Sequence, residues 1–385
     1  MILPRKFPLG TNFHSTDVIE SVKDDDDVSM KIFITGICGF VGSETALQLR
    51  EHSSAADLQI VGIDNFSRNG SWRNRDRLAK KGIEIFHGDV RLSTDIDKIG
   101  PVDWVIDAAA NSSVLSGIDG VSSARQLVDN NLLGTVNLLE HCKLYKAGFT
   151  LLSSSRVYSI PPLAKLLVKS TGKAFTLQCS DVDPSGVTAS GISEAFSTDA
   201  PVSLYGATKR ASEQLALEYG FAFDFPVWIN RCGVMAGAGQ FGKANQGIFA
   251  FWLHSWKEKR PLKYIGFGGY GHQVRDCLHP RDLVPLLQKQ FGAAIGQYPS
   301  IVNVSGGVES AMSLAQLSRW CTDRWGHREV GSVTASRPYD LPWVVLDRSL
   351  ALDAWKWKPA ISVQEILTEI ADFADTQSDW IGFSN

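Results

Sequence analysis

Three glycines in the stretch 31–42, Lys-Ile-Phe-Ile-Thr-Gly-Ile-Cys-Gly-Phe-Val-Gly, restrict the possible folds of this chain most strongly. Apolar residues with β propensity lead into Gly36 and residues after Gly42 have helical spacing, so the glycines mark a strand-to-helix turn. Gly36 permits backbone angles that other residues avoid, Gly39 lets a diphosphate approach backbone N–H groups, and Gly42 lets the helix pack closely on the strand. The helix N-terminus would hold that diphosphate. A tight turn in a domain without a nucleotide has the same spacing, so the pattern alone leaves both interpretations open.

A carboxylate at the end of the next apolar run favours a dinucleotide. Asp64 closes the run 58–64, about 20 residues after the glycines, where a carboxylate can bind the adenosine ribose hydroxyls. The same negative charge repels a 2′-phosphate, so the sequence predicts NAD rather than NADP. Arg68 follows in the same loop and is the residue that weakens this distinction.

The composition argues against several classes of function. The 385 residues carry 38 Lys and Arg against 41 Asp and Glu, and the net charge of -3 gives no electrostatic reason to expect nucleic acid or an anionic membrane. No apolar run approaches the length of a membrane span, and the first residues lack the apolar block of a secretory signal. Six scattered cysteines without a Cys-x-x-Cys pair predict reduced thiols in a cytoplasmic protein. The eight histidines form no metal-binding motif, so we predict no metal site.

The order of the predicted elements indicates an α/β fold. Residues 1–29 are polar and irregular and are expected to be a disordered or leader segment. From Met30 onward strands alternate with helices, which predicts a Rossmann-type doubly wound parallel sheet with right-handed crossovers over residues 30–230. A smaller C-terminal α/β substrate domain is expected over residues 231–385. The predicted strands after the first are 57–64, 83–86, 103–108 and 149–153, and the predicted helices include 72–80, 92–98, a long one that ends near 146, and one that begins near 203.

The segment 159–200 interrupts this alternation. It is rich in Ser, Gly and Pro and is too long for a simple connection in a compact domain. We therefore expect either a functional lid or a locally folded insertion near the active site.

A tyrosine and a lysine four positions apart carry the predicted chemistry. In Tyr205-Gly-Ala-Thr-Lys209, helical spacing places both side chains on one face. Such a pair alone is most often a solvated helix face, but here it follows a nucleotide turn and a strand that ends in serines. We predict that Tyr205 takes a proton from a substrate hydroxyl that Ser154 hydrogen bonds, while hydride leaves for the nicotinamide. The tyrosine pKa of about 10 must fall by roughly 3 pH units, about 4 kcal/mol, and a neighbouring ammonium favours the phenolate.

Taken together, these motifs resemble the extended short-chain dehydrogenase/reductase superfamily, in its NAD-dependent epimerase/dehydratase group. The resemblance covers roughly residues 30–373. It rests on Gly36-x-x-Gly39-x-x-Gly42, Asp64, Asp89-Val90, Asn131-x-x-Gly134-Thr135, Ser154-x-x-Val157-Tyr158 and Tyr205-x-x-x-Lys209. It implies that Ser154, Tyr205 and Lys209 are catalytic, that Lys209 also holds the nicotinamide ribose, and that Asp89-Val90 lies near the adenine. The implied NAD contacts are Gly36, Gly39, Phe40, Val41, Gly42, Asp64, Asn65, Arg68, Asp89, Val90, Ala108, Ala109, Ala110, Asn131, Tyr205 and Lys209.

Two features of the resemblance bear on the substrate. Sugar 4,6-dehydratases of the family carry an Asp-Glu pair where this chain has Ser155 and Arg156, so dehydration is disfavoured. The second half resembles the CDP-paratose (CDP-tyvelose) 2-epimerase branch in the stretches 239–247, 266–279, 303–307 and 337–340. This implies that Arg275 and Arg337 hold a nucleotide diphosphate. Alternatively, Arg275 pairs with Asp276 and Arg337 is a surface residue. The expected substrate contacts are Ser154, Ser155, Arg156, Gln246, Arg275 and Arg337.

The resemblance implies a nucleotide-sugar epimerase that transiently oxidises a secondary alcohol, with C2 of a CDP-dideoxyhexose as the first candidate. A 4-epimerase, a decarboxylase or a 4-ketoreductase on another nucleotide sugar remains open. So does a non-catalytic relative that uses NAD structurally. A homodimer or homotetramer through helices around 120–146 and 203–220 is also implied.

The cofactor prediction is tested by comparing dissociation constants for NAD and NADP. We expect NAD to bind more tightly, because the carboxylate of Asp64 repels a 2′-phosphate. A clear preference for NADP would contradict the role predicted for Asp64.

Overall fold

The computed structural model describes residues 29–54, 56–120, 122–178, 184–244 and 246–384. The predicted leader segment, apart from its last residue, lies outside the described residues.

The β-strands follow the sequence pattern of apolar runs bounded by Gly, Pro and polar residues. They are β1 (Met30–Thr35), β2 (Leu58–Asp64), β3 (Glu84–His87), β4 (Trp104–Asp107), β5 (Gly148–Ser154), β6 (Val168–Ser170), β7 (Phe175–Leu177), β8 (Val187–Thr188), β9 (Gly191–Ile192), β10 (Val227–Cys232), β11 (Val234–Met235), β12 (Lys263–Ile265), β13 (Val274–Leu278), β14 (Ile301–Val304), β15 (Ala311–Ser313), β16 (Gly331–Val333) and β17 (Trp343–Val344).

The helices connect these strands. The α-helices are α1 (Phe40–Glu51), α2 (Arg73–Ala79), α3 (Ser93–Asp97), α4 (Ala124–Val128), α5 (Gly134–Tyr145), α6 (Ile160–Ala164), α7 (Ser203–Phe223), α8 (Ile248–Lys257), α9 (Val284–Phe291), α10 (Leu314–Trp325), α11 (Ser349–Trp355) and α12 (Val363–Thr376). Short 3₁₀ helices span Ser155–Val157, Phe267–Gly269, Pro280–Leu283, Val308–Ser310 and Trp380–Ser384, and a π-helical turn spans Asp129–Leu133.

Seven strands form a central sheet in the order β14-β10-β5-β4-β1-β2-β3. Every neighbouring pair in this sheet is parallel. Successive residues of a strand face opposite sides, so Ile32 and Ile34 pack in one apolar layer while Phe33 packs in the other. Helices α1 and α9 cover the first layer and α5 and α7 cover the second. The predicted doubly wound Rossmann-type sheet is confirmed.

The division of the chain is less simple than predicted. β11, β13, β15 and β17 form a separate sheet that packs with α8, α10 and α12 around its own apolar cluster. β14, however, pairs with β10 in the central sheet, although residues 301–304 lie within the predicted substrate domain. After β13 of the second sheet, the chain therefore returns once to the first. Parallel strands need a crossover connection, and α9 is the last helix of the connection between β10 and β14.

The predicted long helix that ends near residue 146 is broken into α4, the π turn and α5. The side chain of Asn131, inside the π turn, hydrogen bonds to Asn111 and Thr208, which are distant in sequence. Such tertiary bonds are a physical reason for the local change in helix pitch.

The segment 159–200 is locally folded where it is described. It contains α6 and two short hairpins, β6–β7 and β8–β9. Its apolar residues Leu163, Ile192 and Phe196 pack with the buried residues 341–346. Residues 179–183 of this predicted insertion lie outside the described residues.

Candidate active site

The turn between β1 and α1 has the shape that a dinucleotide diphosphate requires. Gly36 has a φ of +59°, and a Cβ there would lie 2.9 Å from the Cα of Ala109. A Cβ at Gly42 would lie 2.3 Å from the carbonyl oxygen of Gly36, so close packing excludes any side chain. No side chain caps α1 at Gly39, and its first turn contains no acidic residue. The free N–H groups at this helix N-terminus therefore fit a diphosphate, and the residues present fit NAD.

A cavity of about 480 Å³ adjoins this turn. Its size is within the usual range for cofactor sites. The predicted cofactor residues that line it are Gly36, Gly39, Phe40, Val41, Gly42, Asp64, Asn65, Arg68, Val90, Ala108, Ala109 and Ala110. Sequence reasoning missed Ser112, Gln240, Phe241 and Lys243, which also line it. The last three lie in the stretch 239–247, which resembled the family without an assigned cofactor role.

Asp64 lies at the end of β2, as the sequence predicts. Its carboxylate accepts N–H donors from Cys38 at 2.9 Å and Phe66 at 2.8 Å. Burial raises the pKa of Asp64, while these hydrogen bonds act in the opposite direction. Asp64 also lines the cofactor cavity, where a carboxylate can accept a hydroxyl of the adenosine ribose.

Two predicted cofactor residues have other partners. Asp89 accepts hydrogen bonds from Asn65 at 3.0 Å and from Arg91 at 2.6 Å, and the Arg91 side chain helps hold the pKa of Asp89 at about 2. Asn131 is 1% exposed and connects the loop after β4 to α7 through Asn111 and Thr208. Among the described residues, neither Asp89 nor Asn131 lines the cofactor cavity, although Val90 does. The contacts of Asp89 and Asn131 with NAD therefore stay predictions.

Arg68 and Gln246 connect the cofactor cavity to a second cavity. Arg68 Nη1 donates to Gln246 Oε1 at 3.0 Å and Nη2 donates to the carbonyl of Phe241. Gln246 in turn donates to Ser112 Oγ, and it lines both cavities. Burial lowers the pKa of Arg68 to about 10. Because Arg68 already donates to two protein oxygens, fewer of its N–H groups are left for a 2′-phosphate.

The second cavity, of about 180 Å³, contains three arginines. Arg156, Arg275 and Arg337 all line it, as predicted for substrate residues. Arg275 donates to the carbonyls of Val274 at 2.7 Å and Leu341 at 3.0 Å. Several cations around one cavity suit an anionic ligand such as a diphosphate.

The alternative pairing of Arg275 with Asp276 is not the one that the structure shows. Arg275 lies 3.5 Å from Asp340, and Asp276 instead accepts the N–H of Leu346 at 3.2 Å. Sequence reasoning missed Asp340 and Gln273, which also line the cavity. A signal was available for each: Asp340 ends the stretch 337–340, and Gln273 lies two positions before Arg275, on the same face of an extended segment.

The predicted catalytic groups meet at the carboxyl ends of β5 and β10. The Ser154 side chain lies within hydrogen-bonding reach of the Tyr205 hydroxyl. Cys232 of β10 is the sheet neighbour of Ser154 and lies within the electrostatic reach of both Tyr205 and Lys209. Tyr205 is 6% exposed and Lys209 is 1% exposed. The phenol, the ammonium and the small hydroxyl therefore gather at one edge of the sheet.

A buried ion pair fixes α7 against these strands. Glu213 accepts hydrogen bonds from Arg231 Nη2 at 2.8 Å and Nε at 3.0 Å. It also accepts one from Ser153 Oγ at 2.6 Å. Residues 205, 209 and 213 are one helical turn apart, so the face of α7 that contains Glu213 also carries the tyrosine and the lysine.

The pKa of Tyr205 differs from the sequence expectation. Burial raises the pKa of Tyr205 to about 12, whereas the hydrogen bond from Ser154 and the charge of Arg156 act to lower it. The net lowering predicted from Lys209 is therefore not found in the protein alone. Desolvation of the phenolate in a buried site outweighs the favourable groups.

The predicted catalytic residues do not line these two cavities. Among the described residues, neither cavity is lined by Tyr205, Lys209, Ser154 or Ser155, and Ser155 is only 8% exposed. Arg156, directly after Ser155, does line the second cavity. Gln246 lines both cavities, so its side chain is part of the wall between them.

Comparison with known proteins assigns the chain to a family. The sequence profile of the NAD dependent epimerase/dehydratase family matches residues 32–291, well over half of the chain. The chain belongs to this family. The predicted dependence on NAD and the predicted enzyme family are thereby confirmed for this epimerase-family protein.

Similar proteins include nucleotide-sugar epimerases of different specificity. A CDP-paratose 2-epimerase from Salmonella typhi is 26% identical over 353 residues, which cover 90% of this chain and 100% of the relative. A UDP-glucuronate 4-epimerase from Thermodesulfobacterium geofontis is 23% identical over 354 residues, covering 89% and 95%. The solved UDP-glucuronic acid 4-epimerase from Bacillus cereus, in complex with UDP-glucuronic acid and NAD, aligns with a TM-score of 0.70. It is 22% identical and the alignment covers 90% of this chain and 99% of that chain, so it supports the fold.

The role of the glycine turn is tested with a matched pair of variants. We expect Gly42→Ala to lower the affinity for NAD by at least about tenfold, equivalent to about 1.4 kcal/mol, because its Cβ would lie 2.3 Å from Gly36 O. Gly292→Ala is the control, since Gly292 has open space around it and a φ of -100°. NAD titration by fluorescence gives both dissociation constants. Equal affinities in the two variants would contradict the proposed packing of the turn.

Proposed function

We propose that this protein is an NAD-dependent epimerase of a nucleotide-diphosphate sugar that transiently oxidises one secondary alcohol. The observation that carries the proposal is the approach of Ser154 to the Tyr205 hydroxyl, in a protein with a cofactor cavity and an arginine-lined cavity. A base near both a cofactor and a bound diphosphate suits oxidation of a sugar hydroxyl.

In the proposed mechanism, NAD supplies a hydride acceptor that later returns the hydride. Ser154 hydrogen bonds the reacting hydroxyl and Tyr205 takes its proton, which leaves a keto sugar. Arg275 and Arg337 hold the diphosphate while the sugar ring turns its opposite face to the cofactor. Tyr205 then gives the proton back to the new alcohol. Lys209, one helical turn further along α7, would hold the nicotinamide ribose, as the family resemblance implies.

We propose that access to Tyr205 involves movement of the wall that the two cavities share. Tyr205 is 6% exposed, and Gln246 lies between the two cavities as part of both walls. We therefore propose that a sugar ring reaches Tyr205 when ligands displace side chains of this wall. The hydrogen bonds of Gln246 to Arg68 and Ser112 are the contacts that would change.

For the substrate, we propose C2 of a CDP-dideoxyhexose as the first candidate. The support is the similarity to CDP-paratose 2-epimerase over the whole length of that relative. A second candidate is C4 of a nucleotide-linked hexuronate, which is supported by the similarity to UDP-glucuronate 4-epimerases and by the partly free cation Arg156 in the substrate cavity. Both candidates use the same tyrosine chemistry.

We further propose a homodimer in the cytoplasm. Large apolar side chains are exposed on the π turn, on α5 and on α7, including Leu133, Leu144 at 68% and Phe221 at 90%. Such a patch on neighbouring helices suits a second copy of the chain. The five described cysteines, all free and buried, are consistent with a reducing compartment. Among the described residues, no helix has both the length and the apolar character needed to cross a bilayer.

The dimer is tested by sedimentation of matched leucine variants. We expect the protein to sediment as a dimer and Leu133→Lys to shift it toward the monomer, because a charge would be buried at the interface. Leu352→Lys is the control, since Leu352 of α11 has a similar exposure of 43% against 41% for Leu133. An unchanged mass for Leu133→Lys would place the interface elsewhere.

The chemistry is tested with Tyr205→Phe. Loss of the proton acceptor should lower turnover by about 10³-fold, while NAD remains bound because no contact in the cofactor cavity changes. Tyr219→Phe is the control, since Tyr219 lies on the same helix but hydrogen bonds to Glu140. Turnover and retained NAD are measured on the same preparations, with CDP-dideoxyhexoses and UDP-hexuronates as substrates.

Running these assays in deuterated water separates the reaction types. Direct return of hydride leaves the inverted carbon free of solvent deuterium. Near-normal turnover of Tyr205→Phe, or deuterium at the inverted carbon, would contradict the proposed mechanism.

A further inference from the structure

The C-terminal 3₁₀ helix, Trp380–Ser384, packs against one wall of the cofactor cavity. That wall is the cavity loop, residues 239–247, whose lining residues are Gln240, Phe241, Lys243, Gln246 and Gly247. The indole of Trp380 stacks on the ring of Phe241, with ring centroids 5.1 Å apart and an interplanar angle of 18°. Trp380 Nε1 also donates to the carbonyl oxygen of Gln240 at 3.0 Å. The end of the chain is thus joined to the cavity loop by a ring contact and a hydrogen bond.

The ring of Phe241 lies between the C-terminal helix and a second loop of the cofactor cavity. A Cβ on Gly70, in the loop after β2, would approach Phe241 Cε1 to 2.6 Å. Arg68 of the same loop lines the cavity and donates to the carbonyl of Phe241. Phe241 and Trp380 are both buried, and with Ile381 they form a small apolar cluster of their own. Trp380 is therefore a large part of what the Phe241 ring packs on.

Trp380 is itself fixed by contacts outside the cavity loop. Its ring meets that of Phe373 from α12 nearly at a right angle, with centroids 4.8 Å apart. The guanidinium of Arg73, at the start of α2, lies 5.4 Å from the centroid of the Trp380 ring. Asp379, directly before Trp380, forms an ion pair with Arg260. Aromatic and cation–π contacts of this kind let the indole serve as a fixed support.

The backbone of the cavity loop depends on such a support. The loop begins and ends at glycines with positive φ, +74° at Gly239 and +71° at Gly247, and glycine leaves the chain conformational freedom at both ends. The loop lines the same cavity as the glycine turn 36–42, so a dinucleotide bound at the turn would contact the loop as well. Lys243 also brings an ammonium group to this cavity, which suits an anionic diphosphate.

Trp380 lines neither cavity, so its effect on a ligand passes through the cavity loop. We infer that Trp380 is a positioning residue for the cofactor, which holds the cavity loop against the bound dinucleotide and slows the release of NAD. Without this support the loop leaves its closed position more often, and NAD dissociates faster. Retention of NAD does not depend on which sugar is the substrate, so this role stands or falls separately from the proposed specificity.

The role of Trp380 is tested by the release of NAD in the absence of substrate. Protein loaded with isotopically labelled NAD is mixed with excess unlabelled NAD, and the rate at which the label is lost is measured. We expect Trp380→Ala to release NAD about tenfold faster than the parent, because the ring contact and the hydrogen bond are both lost. Trp380→Phe keeps a ring on Phe241 but loses the hydrogen bond, so its release rate should lie between the two.

Trp355 of α11 provides the matched control. It is 3% exposed, against 5% for Trp380, and it likewise has one stacked partner, Tyr298, and one perpendicular partner, Trp228. Its Nε1 has no hydrogen-bond partner among the described residues, and it lines neither cavity. We expect Trp355→Ala to lower the unfolding temperature as Trp380→Ala does, since both remove a buried indole. Trp355→Ala and Trp355→Phe should release NAD at the parent rate.

Trypsin reports the position of the cavity loop without any ligand. Lys243 is half-buried, so cleavage after it requires the loop to open, and mass spectrometry identifies the cleaved bond. In protein without NAD, we expect cleavage after Lys243 to be faster in Trp380→Ala than in the parent, and unchanged in Trp355→Ala.

Two results would overturn this role of Trp380. Equal rates of NAD release in Trp380→Ala and Trp355→Ala would leave nothing specific to the cavity loop. Faster cleavage after Lys243 with unchanged NAD release would mean that Trp380 holds the loop but the loop does not retain the cofactor. If Trp380→Ala fails to fold, the comparison is made between Trp380→Phe and Trp355→Phe, of which the first alone loses a hydrogen bond to the loop, and equal release rates in that pair overturn the role as well.

Discussion

The buried contact of Glu213 with Arg231 and Ser153 is the interaction on which the site depends. It joins α7 to β10 and β5 at positions directly before Cys232 and Ser154. A hydrogen-bonded ion pair with both partners buried is satisfied in few geometries, which favours one position of the helix against the strands. In that geometry the face of α7 with Tyr205 is directed at the end of β5. The chemistry is thus fixed by a contact about two helical turns away from it.

The sequence was sufficient for features that depend on local pattern. β2 was predicted as 57–64 and found as Leu58–Asp64, and α2 was predicted as 72–80 and found as Arg73–Ala79. The glycine turn and the pairing of Tyr205 with Ser154 also followed, because each rests on spacing along one strand or one helix. Parallel strands place their carboxyl ends at one edge, which brings such residues together without further information.

Features set by tertiary contacts were not predictable in this way. The π turn arises where Asn131 hydrogen bonds to residues from two other elements. The pairing of β14 with β10 in the first sheet has no local signal in the sequence. The raised pKa of Tyr205 has the same origin, since burial is a property of the assembled fold while the lysine spacing is a property of the helix. Asp340 belongs to the stretch 337–340 that the sequence singles out, but its ion pair with Arg275 could not be predicted because the two residues are remote in sequence.

The position of Gln246 between the two cavities couples the binding of their ligands. Because its side chain forms part of the wall of both cavities and bonds to Arg68 in the cofactor cavity, a ligand that displaces it from one cavity also changes the wall of the other. Thermodynamic linkage then requires reciprocity: if dinucleotide strengthens sugar-nucleotide binding by some factor, sugar nucleotide strengthens dinucleotide retention by that factor. A cofactor that is recycled on every turnover would thereby be held most firmly while substrate is present.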